Sequence, residues 1–363
     1  MEKRFYWNIK LTSYKEFNDF IKEGYTHIYW DFDCSNIWLT TLLWSPKIVW
    51  WDFNCSNNKL TSLEWVPISI TSNFNCSNNE LITLKWSPKM VWWGFYCSNN
   101  KIITLIWSPK QIKWNFNCSN NELISLKWSP REVWWNFKCN NNKITTLQWS
   151  LQQIKWDFIC FNNKLTSLKG SIQIVWWSFV CSWNELITLE GAPKKIKWNF
   201  NCSNNKIITL IWSPQQIKWD FICCWNELIK LEGFPKIVWW NINCNNNKLK
   251  SLKWINSHID WDFNCSYNKL FTLKYIPKKI WWNLKCNNNK LLIFNYSPKI
   301  VWWYFDCSNN RIKSLLHIPK YINWNLYFKN NTIKYSKEDI EMYSNIYWDI
   351  FINKSYLINY EIT

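Results

Sequence analysis

The stretch VWWDFNCSNN, residues 49–58, returns almost unchanged as VWWGFYCSNN (91–100), VWWNFKCNNN (133–142), VWWNINCNNN (238–247) and VWWYFDCSNN (301–310). Its cysteine fixes the period. Cysteines stand at 34, 55, 76, 97, 118, 139, 160, 181, 202, 223, 244, 265, 286 and 307, always 21 residues apart, and Phe328 holds the next place. All eleven prolines fall nine residues before a place in this series, with Leu151, Ile172 and Asn256 in three coils after the first that lack one. An unbroken period of this length means a solenoid, in which each coil buries its apolar side against its neighbours.

Each coil reads the same way around its cysteine. Six residues before it stands Ile or Val, from Ile28 to Ile322; four before it stands Trp, with Ser72 the sole exception; two before it stands Phe, replaced by Ile242, Leu284 and Leu326. Val-x-Trp-x-Phe-x-Cys is the alternation of a half-buried strand. It predicts that the second Trp of each doublet points into the core while the first faces water. Three residues after the cysteine comes Asn, except for Ile37, and this amide is expected to satisfy backbone groups from coil to coil. Leu or Ile follows at five and usually Leu at eight residues after the cysteine, and eight coils carry Trp at ten. The piece from Asn to Pro is too short for a helix.

The chain of 363 residues is 48% hydrophobic and can bury a large core, yet it holds 34 tryptophans and only five glycines. Its formal net charge of +18 suits an anionic partner, although Lys, Asn and Ile are also what an AT-rich coding sequence supplies. Trp has no such origin, so a physical reason must retain it. Residues 1–27 lack the apolar core of a signal peptide, and no run approaches a membrane span. A soluble cytoplasmic protein is the expectation. Three segments are expected: an N-terminal cap over 1–27, the repeat solenoid over 28–335, and a C-terminal cap over 336–363 with a short helix and then strand. Ser13-Tyr14-Lys15-Glu16 reads as a capping box that opens a helix with Phe17, Phe20 and Ile21 on its apolar side and Gly24 as its stop.

The run FNCSNNKLTSLEWVP (53–67) and its copies resemble short, helix-free leucine-rich repeats, which share Leu-x-Cys-x-x-Asn-x-Leu-x-x-Leu. The likeness covers about residues 28–335. It implies a leucine-rich-repeat-like solenoid of about fifteen coils, with one long parallel β-sheet, a non-helical opposite side and short capping helices at both ends. Upstream the pattern departs, with Val-x-Trp-x-Phe-x-Cys in place of Leu-x-x-Leu-x-Leu, which leaves the curvature open. The Trp-dominated version is similar to the tryptophan-repeat gene family of insect poxviruses. That similarity implies a viral protein made in host cytoplasm.

Catalytic chemistry finds little support. No Cys-x-x-Cys pair suggests zinc, no Gly-rich phosphate loop occurs, and His27, His258 and His317 occupy different places in their coils. His317 stands where other coils have Trp and is expected to pack. Asp31, Asp52, Asp157, Asp220 and Asp262 share one column but are scattered along it, unlike a glycosidase pair. The cysteines read as an inert ladder of reduced thiols, and no enzyme, cofactor or metal is expected.

The outward column, five residues before the cysteine, holds Trp50, Trp92, Trp134, Trp176, Trp239, Trp281 and Trp302, interleaved with Lys113, Lys155, Lys197 and Lys218. Lys beside Trp on adjoining rungs suits cation–π contact. These side chains either cover the sheet or form a binding face for a protein partner. A second column, four after the cysteine, alternates Lys and Glu and then becomes Lys248, Lys269, Lys290 and Arg311, a basic patch. Together with the exposed Trp it allows single-stranded nucleic-acid binding as the alternative function, with a carbohydrate surface as a weaker third.

Overall fold

The computed structural model describes residues 2–148, 153–255, 261–333, 335–347 and 349–352. Leu151, Asn256, His258 and residues 353–363, all of which enter the sequence expectations, lie outside the described residues. The chain divides into two compact units, Met1–Glu185 with Glu190–Pro193, and Leu186–Leu189 with Lys194–Thr363.

Each unit is a parallel β-solenoid. In the first, Phe53 pairs with Phe74 and Phe74 with Phe95, while Val49 pairs with Ile70. In the second, Phe200 pairs with Phe221 and Ile242 with Phe263. Within each unit the paired coils thus keep strict register. The interior columns are those the repeat marks: Val49, Phe53, Cys55, Leu60 and Leu63 have no exposed surface. The prolines lie buried at the closing corner of their coils, except half-buried Pro277. Having no N–H, proline can be buried there without leaving a donor unpaired.

The expected alternation across the doublet does not hold. A typical coil has two strands of two residues, such as Ile48–Val49 and Phe53–Asn54, with a bend at Trp50–Trp51 between them. The bend turns both indoles outward: Trp50 and Trp51 are 47 and 51% exposed. The second Trp is therefore not a core residue. Val, Phe, Cys and two Leu already fill the interior of a 21-residue coil, and a close-packed core has no space for an added indole. Hydrogen bonds between coils continue through the bend, as from Trp50 N–H to the Ile28 carbonyl at 2.9 Å.

The asparagine ladder is as expected. The Asn79 Nδ2 donates to the carbonyls of Cys55 at 3.0 Å, Cys76 at 3.1 Å and Ser77 at 3.3 Å, while its Oδ1 accepts the Leu60 N–H at 3.0 Å. One buried amide thus serves four backbone groups where the strand turns. A parallel ladder lies three residues before the cysteine. The Asp52 Oδ1 accepts the Asn73 N–H at 2.9 Å, and the Asn73 Oδ1 accepts the Gly94 N–H at 2.8 Å. The aspartates of this column are rungs of the scaffold.

The ends carry short helices. Ser13 caps α1 (Tyr14–Lys22), accepting the Glu16 N–H. The Glu16 carboxylate turns to the Thr12 N–H at 2.7 Å and hydroxyl at 2.9 Å, one residue earlier than a capping box requires, and these bonds lower its pKa. Phe20 lies 5.5 Å from Phe32 and so covers the exposed end of the Phe column. Arg4–Phe5 and Ile9–Lys10 add a further rung, paired with His27–Ile28 and Phe32–Asp33. At the other end α2 (Lys337–Glu341) has a full capping box between Ser336 and Asp339, and Asn345–Ile346 and Ile350–Phe351 add the last described rung.

Candidate interaction surface

Three tryptophan columns reach the surface. In the outward column, Trp50, Trp92, Trp134, Trp176, Trp239, Trp281 and Trp302 each expose 45 to 52% of their surface. The lysines expected beside them are in place: the Nζ of Lys113 lies 4.2 Å from the Trp92 ring, that of Lys155 4.3 Å from Trp134, and that of Lys218 5.4 Å from Trp239. Lys197 holds the corresponding place in its own coil. Such contacts contribute about 0.5–1 kcal/mol each at exposed sites, and they hold the ring faces against solvent.

Beside it stands the second column, which the bend turned out of the core. In the first unit Trp93, Trp114, Trp135, Trp156 and Trp177 stack at centroid distances of 4.3 to 4.7 Å. In the second, Trp198, Trp219, Trp240 and Trp261 stack at 3.9 to 4.3 Å. The column is half-buried by its own stacking, and each ring pair adds about 0.5–1.5 kcal/mol beyond the area it buries. The two members of a doublet thus play different parts. One is a rung in an aromatic stack, and the other stands at the surface beside Lys.

The third column is counted in the sequence, but nothing in its spacing gives it an outward role. Trp44, Trp65, Trp86, Trp128 and Trp254, ten residues after the cysteine, are exposed and have φ between 65 and 90°. The left-handed conformation costs a bulky L-residue about 1–2 kcal/mol. Gly170, Gly191 and Gly233 occupy the same place in other coils with φ of 82 to 88°. Those glycines were the available signal, since they mark a turn that does not want a side chain. His317 sits here too, exposed at φ 66°, so the expectation that it packs is wrong: the turn points its ring to solvent. The preceding coil's serine holds the turn, as Ser108 Oγ donates to the Trp128 carbonyl at 2.8 Å and Ser171 Oγ to the Gly191 carbonyl at 2.6 Å.

The charged column behaves as its signs suggest. Lys101 pairs with Glu80 at 3.1 Å, Lys164 with Glu185 at 3.6 Å, and Lys143 with Glu122. Lys248, first of the basic patch, is neutralised by Glu227, and Lys290 lies 5.8 Å over the Phe271 ring. Lys269 and Arg311 continue the row on the surface. The net basic stretch is therefore shorter than its spacing implied.

The cysteines are buried thiols. Burial pushes each series thiol with a resolved shift far above its ordinary value, Cys244 to about 12, so the ladder is unreactive near neutrality. Burial also raises the pKa of Asp157 and Asp220, against backbone hydrogen bonds that lower it. Among the described residues no group of three or more His, Cys, Asp or Glu is placed to hold a metal, and no helix is long and apolar enough to cross a membrane.

No family model matches the chain and no curated protein matches it. Solved structures do. The functional domain of InlJ from Listeria monocytogenes, which includes a cysteine ladder, is 19% identical with a TM-score of 0.52, over 82% of this chain and 73% of that one. YopM from Yersinia enterocolitica is 14% identical with a TM-score of 0.48, over 93% of each chain. YopM from Yersinia pestis, a leucine-rich effector protein, is 16% identical with a TM-score of 0.47, over 92% of this chain and 91% of that one. At these identities the likeness is one of fold alone. The chain has a leucine-rich-repeat-like fold, in a version whose outer columns are tryptophan.

Proposed function

We propose that the protein is a non-enzymatic protein–protein interaction scaffold, and that its binding residues are the outward Trp column with its lysines together with the exposed Trp of the left-handed turns. One observation carries this reading. At a turn where glycine serves in three coils, five others hold a strained, exposed tryptophan. Strained residues cluster at binding sites, and covering the sheet does not require Trp at a place that Gly fills without strain. Tryptophan is also among the residues most enriched as anchors of protein interfaces. The similarity of the Trp-rich repeat to the tryptophan-repeat gene family of insect poxviruses supports a viral protein acting on a host protein in the host cytoplasm.

Affinity capture from insect-cell cytosol, with and without nuclease, tests this. The proposal expects a protein partner that survives nuclease and whose binding changes little between 50 and 200 mM salt. Loss on nuclease treatment, or a steep fall in affinity over that salt range, would instead mean nucleic-acid binding.

A further inference from the structure

The second Trp column has one gap, and the gap has the dimensions of a ring. In every coil but one that column holds Trp; in the coil of Cys76 it holds Ser72, and Thr71 stands in the outward column beside it. Both columns are therefore vacant on the same rung. Trp50 and Trp51 wall the vacancy on one side, Trp92 and Trp93 on the other. Each wall is engaged on its far face: Trp50 stacks on Tyr29 at 5.9 Å, Trp51 on Trp30 at 5.5 Å, Trp93 on Trp114 at 4.7 Å, and Trp92 lies under the Lys113 Nζ at 4.2 Å. The near faces meet no other ring among the described residues. Trp51 and Trp93 are 51 and 46% exposed, whereas Trp114, Trp135, Trp156 and Trp177 inside the continuous stack are less so.

Rungs are about 4.8 Å apart, so the two sides of the vacancy are about twice that distance apart. Where the column is filled, ring centroids lie 4.3 to 4.7 Å apart. A single ring placed midway would stack on both neighbours at the spacing the column already uses; two rings would not fit. The floor is polar but small, formed by half-buried Thr71 and buried Ser72. Ile68, just before the strand Ser69–Ile70 of the vacant rung, and Met90, on the strand Met90–Val91 of the next, are 67 and 59% exposed. They offer apolar contact to whatever carries the ring, which favours a residue in a chain over a free ring. The adjoining column carries Asp31 and Asp52, which disfavours a phosphate-bearing base.

We propose that Thr71 and Ser72 floor a socket, clasped by Trp50, Trp51, Trp92 and Trp93, for one uncharged aromatic side chain of a protein partner. This rests on the scaffold reading for its biological meaning. Its test needs no partner, so its failure would leave that reading standing.

The probe is N-acetyl-tryptophanamide, followed by saturation-transfer NMR on the full chain. Ser72→Trp supplies the missing ring and should weaken binding at least fivefold, with the far-ultraviolet circular dichroism retained. Trp93→Ala removes a wall and should weaken it similarly, which keeps the test valid if the filled variant misfolds. The socket is wrong if the probe gives no transfer at millimolar concentration. It is equally wrong if the correctly folded Ser72→Trp or Trp93→Ala binds as the wild type does, or if adenosine monophosphate binds as tightly as the amide.

Discussion

The Asn100 Nδ2 donates to the Cys76 carbonyl, 24 residues earlier, at 3.1 Å, and in the same geometry to the Cys97 carbonyl of its own coil at 3.2 Å. Its Oδ1 accepts the Leu81 N–H at 3.0 Å. One buried side chain thus ties two coils together, and the unit repeats along both parts of the chain. Asn100→Ala would leave the Leu81 donor unpaired, while the Cys76 and Cys97 carbonyls keep the amides of Asn79 and Asn121. An unsatisfied buried group costs about 1–3 kcal/mol, so a loss of about 1–3 kcal/mol is expected in urea denaturation. A loss below about 0.5 kcal/mol would mean that the ladder is not what couples the coils.

The left-handed turn gives a pair of opposite expectations. At Gly191, with φ 88°, an added Cβ would meet the Leu168 carbonyl carbon and oxygen at 2.4 Å. Gly191→Ala should therefore destabilise by more than about 2 kcal/mol, since strain and backbone clash add. Trp128 has φ 71° and is 56% exposed. Trp128→Gly relieves strain while losing some contact, and should lie within about 1 kcal/mol of the wild type. Thermal unfolding of both variants checks this; equal destabilisation would remove the argument from strain.

Asp157 titrates in a place where seven of the fifteen coils have Asn. Its Oδ1 accepts the Ser178 N–H at 2.9 Å, and burial raises its pKa. A raised carboxylate binds its proton more tightly in the folded chain than in the unfolded one. Its contribution is then greatest at acid pH and is lost as pH rises from the ordinary value of about 3.9 through the raised one. Asp157→Asn keeps the acceptor without the charge. The variant should match the wild type at pH 3 and be the more stable of the two at pH 7, by urea midpoints. A less stable variant at pH 7 would show that the carboxylate's charge is favourable there.

Much of this fold is legible in the residues. The 21-residue period, the Val, Phe, Cys and Leu columns and the Asn ladder follow from spacing and residue type, because core positions tolerate few alternatives. The second Trp was misread because period-2 alternation assumes an unbroken strand. A bend at Trp50–Trp51 changes which way a side chain points without altering the spacing of Val49 and Phe53. The left-handed turns at Trp86 and Trp128 were hidden for a different reason: Trp is a residue one does not expect at positive φ, and only the glycines in equivalent places disclose it. The pairing of Lys248 with Glu227 was visible as alternation, but the basic patch was counted from the wrong rung.

The outward tryptophans give the most direct test. Trp92, Trp134 and Trp176 sit on alternate coils of the first unit, about half exposed, and their removal opens no core cavity. The triple variant Trp92→Ser, Trp134→Ser, Trp176→Ser is to be measured against the wild type for affinity to the captured protein partner, with urea unfolding as the control. A fall of at least tenfold in affinity, with the unfolding midpoint little changed, is the predicted result. Unchanged affinity in the folded triple variant would contradict the account, leaving these indoles as a cover for the scaffold and nothing more.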